Sequence, residues 1–122
     1  MSNALNWFEI PVADLTRAKR FYSSLLAAEL RQESMNGIDM AIFPYQQGGV
    51  GGALVQGEQF VPSEKGAVVY LNAGEDLDGI LSRTEPAGGK VMMGRTLLSE
   101  QIGSIAFVQD TEGNRVGFHT RH

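Results

Sequence analysis

The spacing of apolar positions changes twice within the first half of the chain. Residues 5–12, Leu-Asn-Trp-Phe-Glu-Ile-Pro-Val, read as a strand ending near Pro11, which has no N–H to give to a ladder. The spacing then becomes helical. Leu15, Ala18, Phe21 or Tyr22, Leu25 and Leu26 fall on one face, and Arg17, Lys19, Arg20 and Ser24 on the other. Asp14 can accept from the free N–H groups of the first turn, so a helix is predicted over 14–27. Three strands are expected next, over 29–35, 38–45 and 50–57. Asn36-Gly37 joins the first two as a hairpin turn, because both residues tolerate positive φ. Gly48, Gly49, Gly51 and Gly52 mark a loop and a strand that other backbone approaches closely.

The second half repeats this order. Ala67-Val68-Val69-Tyr70-Leu71-Asn72 reads as a strand. A helix over about 75–85 turns Leu77, Ile80 and Leu81 inward, weakened by Gly79 and limited by Pro86. Strands follow near 90–94, 104–109 and 114–120, the last two joined by Asp110-Thr111-Glu112-Gly113-Asn114. Asp14-Leu15 matches Asp76-Leu77, and Ala27-Ala28-Glu29-Leu30 matches Gly88-Gly89-Lys90-Val91, a repeat of about 61–62 residues. Two modules, 1–57 and 65–122, are expected to be joined by linker 58–64 in one domain. Either half alone is too small to bury a core, so they should pack together.

Composition narrows the function classes. The 122 residues are 43% hydrophobic and 20% charged, ordinary for a folded domain. The formal net charge is -4, and the seven Arg are scattered, which gives no footprint for nucleic-acid phosphates. Without cysteine there is no disulfide, thiolate metal site or thiol nucleophile. No apolar run approaches the roughly 20 residues of a membrane span. The start, Met-Ser-Asn-Ala-Leu-Asn-Trp, does not resemble a secretory signal, so a cytoplasmic protein is expected. The glycine-rich stretch at 48–52 lacks the Lys-Ser/Thr of a phosphate loop, and no serine sits in a nucleophile elbow.

Two motifs carry a resemblance. Phe8-Glu9-Ile10-Pro11-Val12-x-Asp14-Leu15-x-Arg17-Ala18-x-x-Phe21-Tyr22 resembles the opening of the vicinal-oxygen-chelate superfamily, which includes glyoxalase I, bleomycin resistance proteins and extradiol dioxygenases. Asp110-x-Glu112-Gly113-Asn114-Arg115 resembles its closing hairpin. The resemblance implies an α+β fold of paired βαβββ modules, whose eight strands form a partly closed barrel around a cleft. It also implies a homodimer, one whose isologous pairing could complete the cleft from both chains.

In catalytic members of that superfamily a divalent metal is held by His and Glu, one ligand on each of four strands. Carried onto this chain, those positions fall at Trp7, at Gly52 or Leu54, near Val68, and at Gly117, none of which offers a metal-binding side chain. No cofactor is therefore expected. Glu9 shares a strand face with Trp7, and His119 with Gly117. Such a pair could hold a non-standard metal, act as a general acid/base couple, or simply bridge the modules structurally. Trp7 could stack on a planar ligand or fill the volume that a metal site would take. Tyr70 and Asn72 could orient a ligand or bond within the sheet.

The leading expectation is metal-independent binding of a small molecule in the cleft by Trp7, Glu9, Tyr70, Asn72 and His119. The alternatives are a lyase, isomerase or dioxygenase using non-standard metal ligands or Glu9/His119 acid-base chemistry, and a non-catalytic interaction protein.

Overall fold

The computed structural model describes residues 3–121, and the tail residue His122 lies outside them. Strand β1 (Trp7–Pro11) leads to Asp14, whose Oδ1 accepts from the Arg17 N–H at 3.0 Å and caps α1 (Leu15–Leu26). The helix buries Leu15, Ala18, Phe21, Tyr22 and Leu25, the stripe the sequence predicts. It ends at Ala27, whose φ of 52° is left-handed. Strands β2 (Arg31–Met35) and β3 (Ile38–Ile42) are joined by Asn36 and Gly37 at φ 54° and 77°, the signs a type I′ turn requires. Strand β4 (Gly51–Gln56) pairs antiparallel with β3 and parallel with β1, giving the order β1-β4-β3-β2.

The second half follows the same path through β5 (Tyr70–Asn72), α2 (Leu77–Thr84), β6 (Lys90–Ser99), β7 (Gly103–Gln109) and β8 (Arg115–Thr120). Its order is β5-β8-β7-β6, with β5 and β8 parallel. Several elements differ from the expected bounds: in the first half β1, β2 and β3 are shorter, β3 ending at Ile42, and three differ in the second. β5 is shorter, although the Val69 carbonyl still accepts from Gly117 at 2.9 Å. β6 continues to Ser99, because register shifts let it stay paired with β7 past Met93. α2 is shorter, and Asp76 makes no cap; its carboxylate pairs with Arg83 at 2.6 Å instead.

One core joins the halves. Ile10, Phe21, Tyr22, Leu54, Leu77, Ile80, Val108 and Phe118 belong to a single buried cluster, and α1 packs against α2. Arg83 reaches across to donate to the Leu25 carbonyl at the end of α1, at 2.7 and 3.2 Å. The two sheets do not hydrogen-bond to each other, so the eight strands form the partly closed arrangement of paired βαβββ modules.

A polar clamp completes the junction. The Glu112 carboxylate, inaccessible to solvent, accepts from the Ala13 and Asp14 N–H groups at 3.0 and 2.9 Å and from Arg17 at 2.8 and 2.9 Å. Buried Asp110 accepts from the Tyr22 hydroxyl at 2.6 Å and from the Glu112 and Asn114 backbone. Asn114 donates to the Pro11 carbonyl at 2.7 Å and accepts from Ser63 N at 2.9 Å. The closing motif thus ties the last hairpin to the β1–α1 corner and to the linker.

Candidate functional site

Strand alternation decides which side chains leave the core. In β5, Leu71 is buried while Tyr70 and Asn72 point the other way and are exposed. In β8, Gly117 lies opposite Tyr70 and His119 opposite Asn72. In the first sheet the matching pairs are Trp7 with Gly51 and Glu9 with Ala53.

The register sets the partners of two of the positions that the family resemblance implies. The partner of Trp7 is Gly51; Gly52 and Leu54 fall on the opposite strand face, and Leu54 joins the helix-side core. The partner of Gly117 is Tyr70, two residues beyond Val68. At each glycine a ring occupies the space of a side chain. A Cβ on Gly51 would lie 2.5 Å from the Tyr45 ring, and one on Gly117 would lie 2.5 Å from the Tyr70 ring. Trp7 meets Tyr45 edge-on at 6.2 Å, and Tyr70 lies 5.7 Å from Phe107.

The sequence candidates separate into two places. Tyr70, Asn72 and His119 come together in a pocket of about 510 Å³, with Leu71, Gly74, Glu75 and Arg121 completing it. Trp7 and Glu9 lie on the other sheet, where Trp7 Nε1–H donates to Glu9 Oε2 at 3.3 Å. Glu9 borders a separate hollow near Lys65 and Arg115. The expected Glu9–His119 couple does not form, because β1 pairs with β4 and β8 with β5 and β7, and no Cα of β1 comes within 8 Å of β8.

Hydrogen bonds orient Asn72 and His119 in the pocket. Asn72 Oδ1 accepts from the Gly74 N–H at 2.8 Å, so its amide N–H groups remain to serve a ligand. His119 Nε2 lies 2.5 Å from the Ile102 carbonyl. A carbonyl only accepts, so that nitrogen carries a proton and donates. Thr120 Oγ1–H donates to the Gly74 carbonyl and holds the turn beside Asn72. Sequence patterning does not single out Glu75 and Arg121. The available signal was spacing: Arg121 is two residues after His119, and Glu75 follows the Asn72-Ala73-Gly74 turn.

A second pocket of about 260 Å³ adjoins the first, sharing Leu71 and Asn72 with it. It lies across the module junction and includes Phe8, Leu26, Phe43 and Val50.

Two βαβββ modules, joined through their helices and closed by an Asp110-Glu112-Asn114 clamp, define a class, and the comparisons agree with it. The model of the Glyoxalase/Bleomycin resistance protein/Dioxygenase superfamily matches residues 4–118, and the chain belongs to that superfamily. No curated protein matches the chain. Among solved structures, a glyoxalase/bleomycin resistance protein/dioxygenase domain from Frankia sp. is similar at TM-score 0.73 and 18% identity, over 98% of each chain. A glyoxalase/bleomycin resistance protein from Albidiferax ferrireducens is similar at TM-score 0.70 and 17% identity, over 98% of this chain and 100% of that one. A mutant glyoxalase I from Zea mays is similar at TM-score 0.71 and 20% identity, over 95% of this chain and 46% of that one. At these identities the likeness is one of fold.

The metal that the family implies does not fit the residues present. Neither the implied positions Trp7, Gly52 or Leu54, Val68 and Gly117 nor the register partners Gly51 and Tyr70 carry a metal-binding carboxylate or imidazole, and rings cover Gly51, Gly52 and Gly117. Among the described residues no group of three or more His, Cys, Asp or Glu is placed to hold an ion.

Proposed function

We propose that this protein binds a small organic molecule, without a metal, in the pocket built on Tyr70, Asn72 and His119. The observation that carries this reading is the convergence of those three side chains, from two paired strands, on one pocket of about 510 Å³. Tyr70 offers a ring face, Asn72 two N–H donors, and His119 a polar ring atom at Nδ1. Trp7 and Glu9 lie outside this pocket and are assigned no role in it. Glu9 and His119 line separate hollows, which favours this reading over a Glu9–His119 acid/base pair.

The experiment is a thermal-shift screen of small metabolites with and without EDTA. A ligand that binds only the folded chain raises Tm, and that rise should survive the chelator. It should disappear in Asn72→Leu and His119→Ala. A rise that requires added Zn²⁺, Ni²⁺, Mn²⁺ or Fe²⁺ overturns the reading.

We further propose that the chain assembles as a homodimer. Leu97, Leu98 and Ile102 are exposed at the tip of the β6–β7 hairpin, where an isologous partner can cover them.

A further inference from the structure

The first hairpin turn carries a reactive pair. Asn36 and Gly37 join β2 to β3 at φ 54° and 77°, and both are exposed. Among the described residues the Asn36 side chain makes no hydrogen bond, and the Gly37 N–H has no acceptor. A Cβ on Gly37 would meet nothing within 4 Å, so the space around the turn is open. We propose that Asn36 deamidates spontaneously in the folded chain, and that the isoaspartate formed releases edge strand β2 from its sheet.

The reaction balances with water as its one co-reactant. The Gly37 nitrogen attacks Asn36 Cγ, and a new N–Cγ bond closes a cyclic imide. The Cγ–Nδ2 bond breaks, and Nδ2 leaves as ammonia with the proton that Gly37 gives up. Water then adds its hydroxyl to one imide carbonyl and returns a proton to the ring nitrogen. Opening at the side-chain carbonyl leaves Asp at position 36. Opening at the main-chain carbonyl leaves the chain running through Cγ, one methylene longer.

The fold selects this asparagine. Gly37 has no side chain to crowd its nitrogen. Asn72 is held by the Gly74 N–H, and the Ala73 N–H that would attack it donates to the His119 carbonyl. Asn114 is buried, and its amide donates to Pro11 and Asp110. Asn3 and Asn6 precede Ala4 and Trp7, whose side chains flank the attacking nitrogen. The hairpin also sets the consequence. A two-residue loop fixes the Met35–Ile38 register, and a longer backbone there breaks it. β2 pairs with β3 alone and is exposed along its length, whereas β3 is also held by β4. Fraying should stop at β3 and leave the pocket on β5 and β8 intact.

The test incubates the native chain in warm, mildly alkaline buffer and follows tryptic peptide 32–65, which holds no other Asn. Mass spectrometry should show NH₂ replaced by OH at residue 36, heavy oxygen taken up from labelled water, and both Asp and isoaspartate products. An unchanged Asn36, or a change only after unfolding in urea, overturns the proposal. So does Asn72 or Asn114 reacting first. Hydrogen exchange then compares the isoaspartate form with Asn36→Asp, which adds the same charge without lengthening the backbone. The β2 amides should lose protection in the isoaspartate form and keep it in Asn36→Asp. Equal protection in the two overturns the release of β2.

Discussion

Glu112 collects five donors on one carboxylate: two backbone N–H groups, two guanidinium contacts and the Thr111 hydroxyl. Burial by itself would push its carboxyl up, but the Arg17 and Thr111 bonds, the Asp14 N–H and the Arg17 charge lower it from 4.5 to about 2. A depressed carboxyl contributes stability that is complete above its unfolded value and lost as pH falls through its folded one. The clamp should therefore weaken as pH drops from about 4.5 toward 2. In Glu112→Gln, Tm against pH should be lower at neutral pH and flatter across that window. Tyr22 has the opposite sign. Burial, then the Asp110 charge and their hydrogen bond, raise its hydroxyl well above 10. Its contribution is complete below the unfolded value and declines as pH rises beyond 10. Tyr22 should ionise only as the chain unfolds in alkali, which tyrosinate absorbance can follow. Tyr22→Phe removes the donor to buried Asp110 and should cost about 1–3 kcal/mol in denaturant unfolding.

Elements with an uninterrupted period are legible in the amino-acid sequence. The spacing of Leu15, Ala18, Tyr22 and Leu25 specifies α1, and Asn36-Gly37 specifies the first hairpin. Residue pattern alone makes β6 too short, because its register shifts break the alternation that marks a strand. The site is legible to the same extent. Alternation puts Tyr70 with Asn72, and two-residue spacing puts His119 with Gly117. It cannot place Glu9, because sheet membership is set by pairing between distant segments and not by local period. The second pocket is hidden from the sequence for the same reason: Phe8, Phe43 and Leu71 meet only when the modules pack. Gly89 is a position where packing demands glycine. A Cβ there would come within 2.6 Å of the Phe21 ring and 2.7 Å of the Gln109 carbonyl. Gly89→Ala should therefore destabilise by about 1–3 kcal/mol, measured by urea unfolding, because backbone on one side cannot yield.

The whole molecule holds together mainly through helices and hairpin, since the sheets have no ladder between them. That arrangement leaves the β6–β7 tip projecting, with Leu97 65% and Ile102 54% exposed. If the proposed homodimer uses this tip, Leu97→Lys combined with Ile102→Lys should convert it to monomer in sedimentation velocity while Tm changes little. No helix among the described residues is long and apolar enough to cross a membrane.

The clamp has a consequence for the continuity of the chain. Asn114 and Glu112 fasten the last hairpin to the first corner through atoms that do not depend on the peptide bonds around Lys65. Cutting there should yield two pieces that snap back into one particle when co-expressed. Each alone would stay unstructured, and the reunited pair should come apart in acid, as the Glu112 carboxylate takes up its proton.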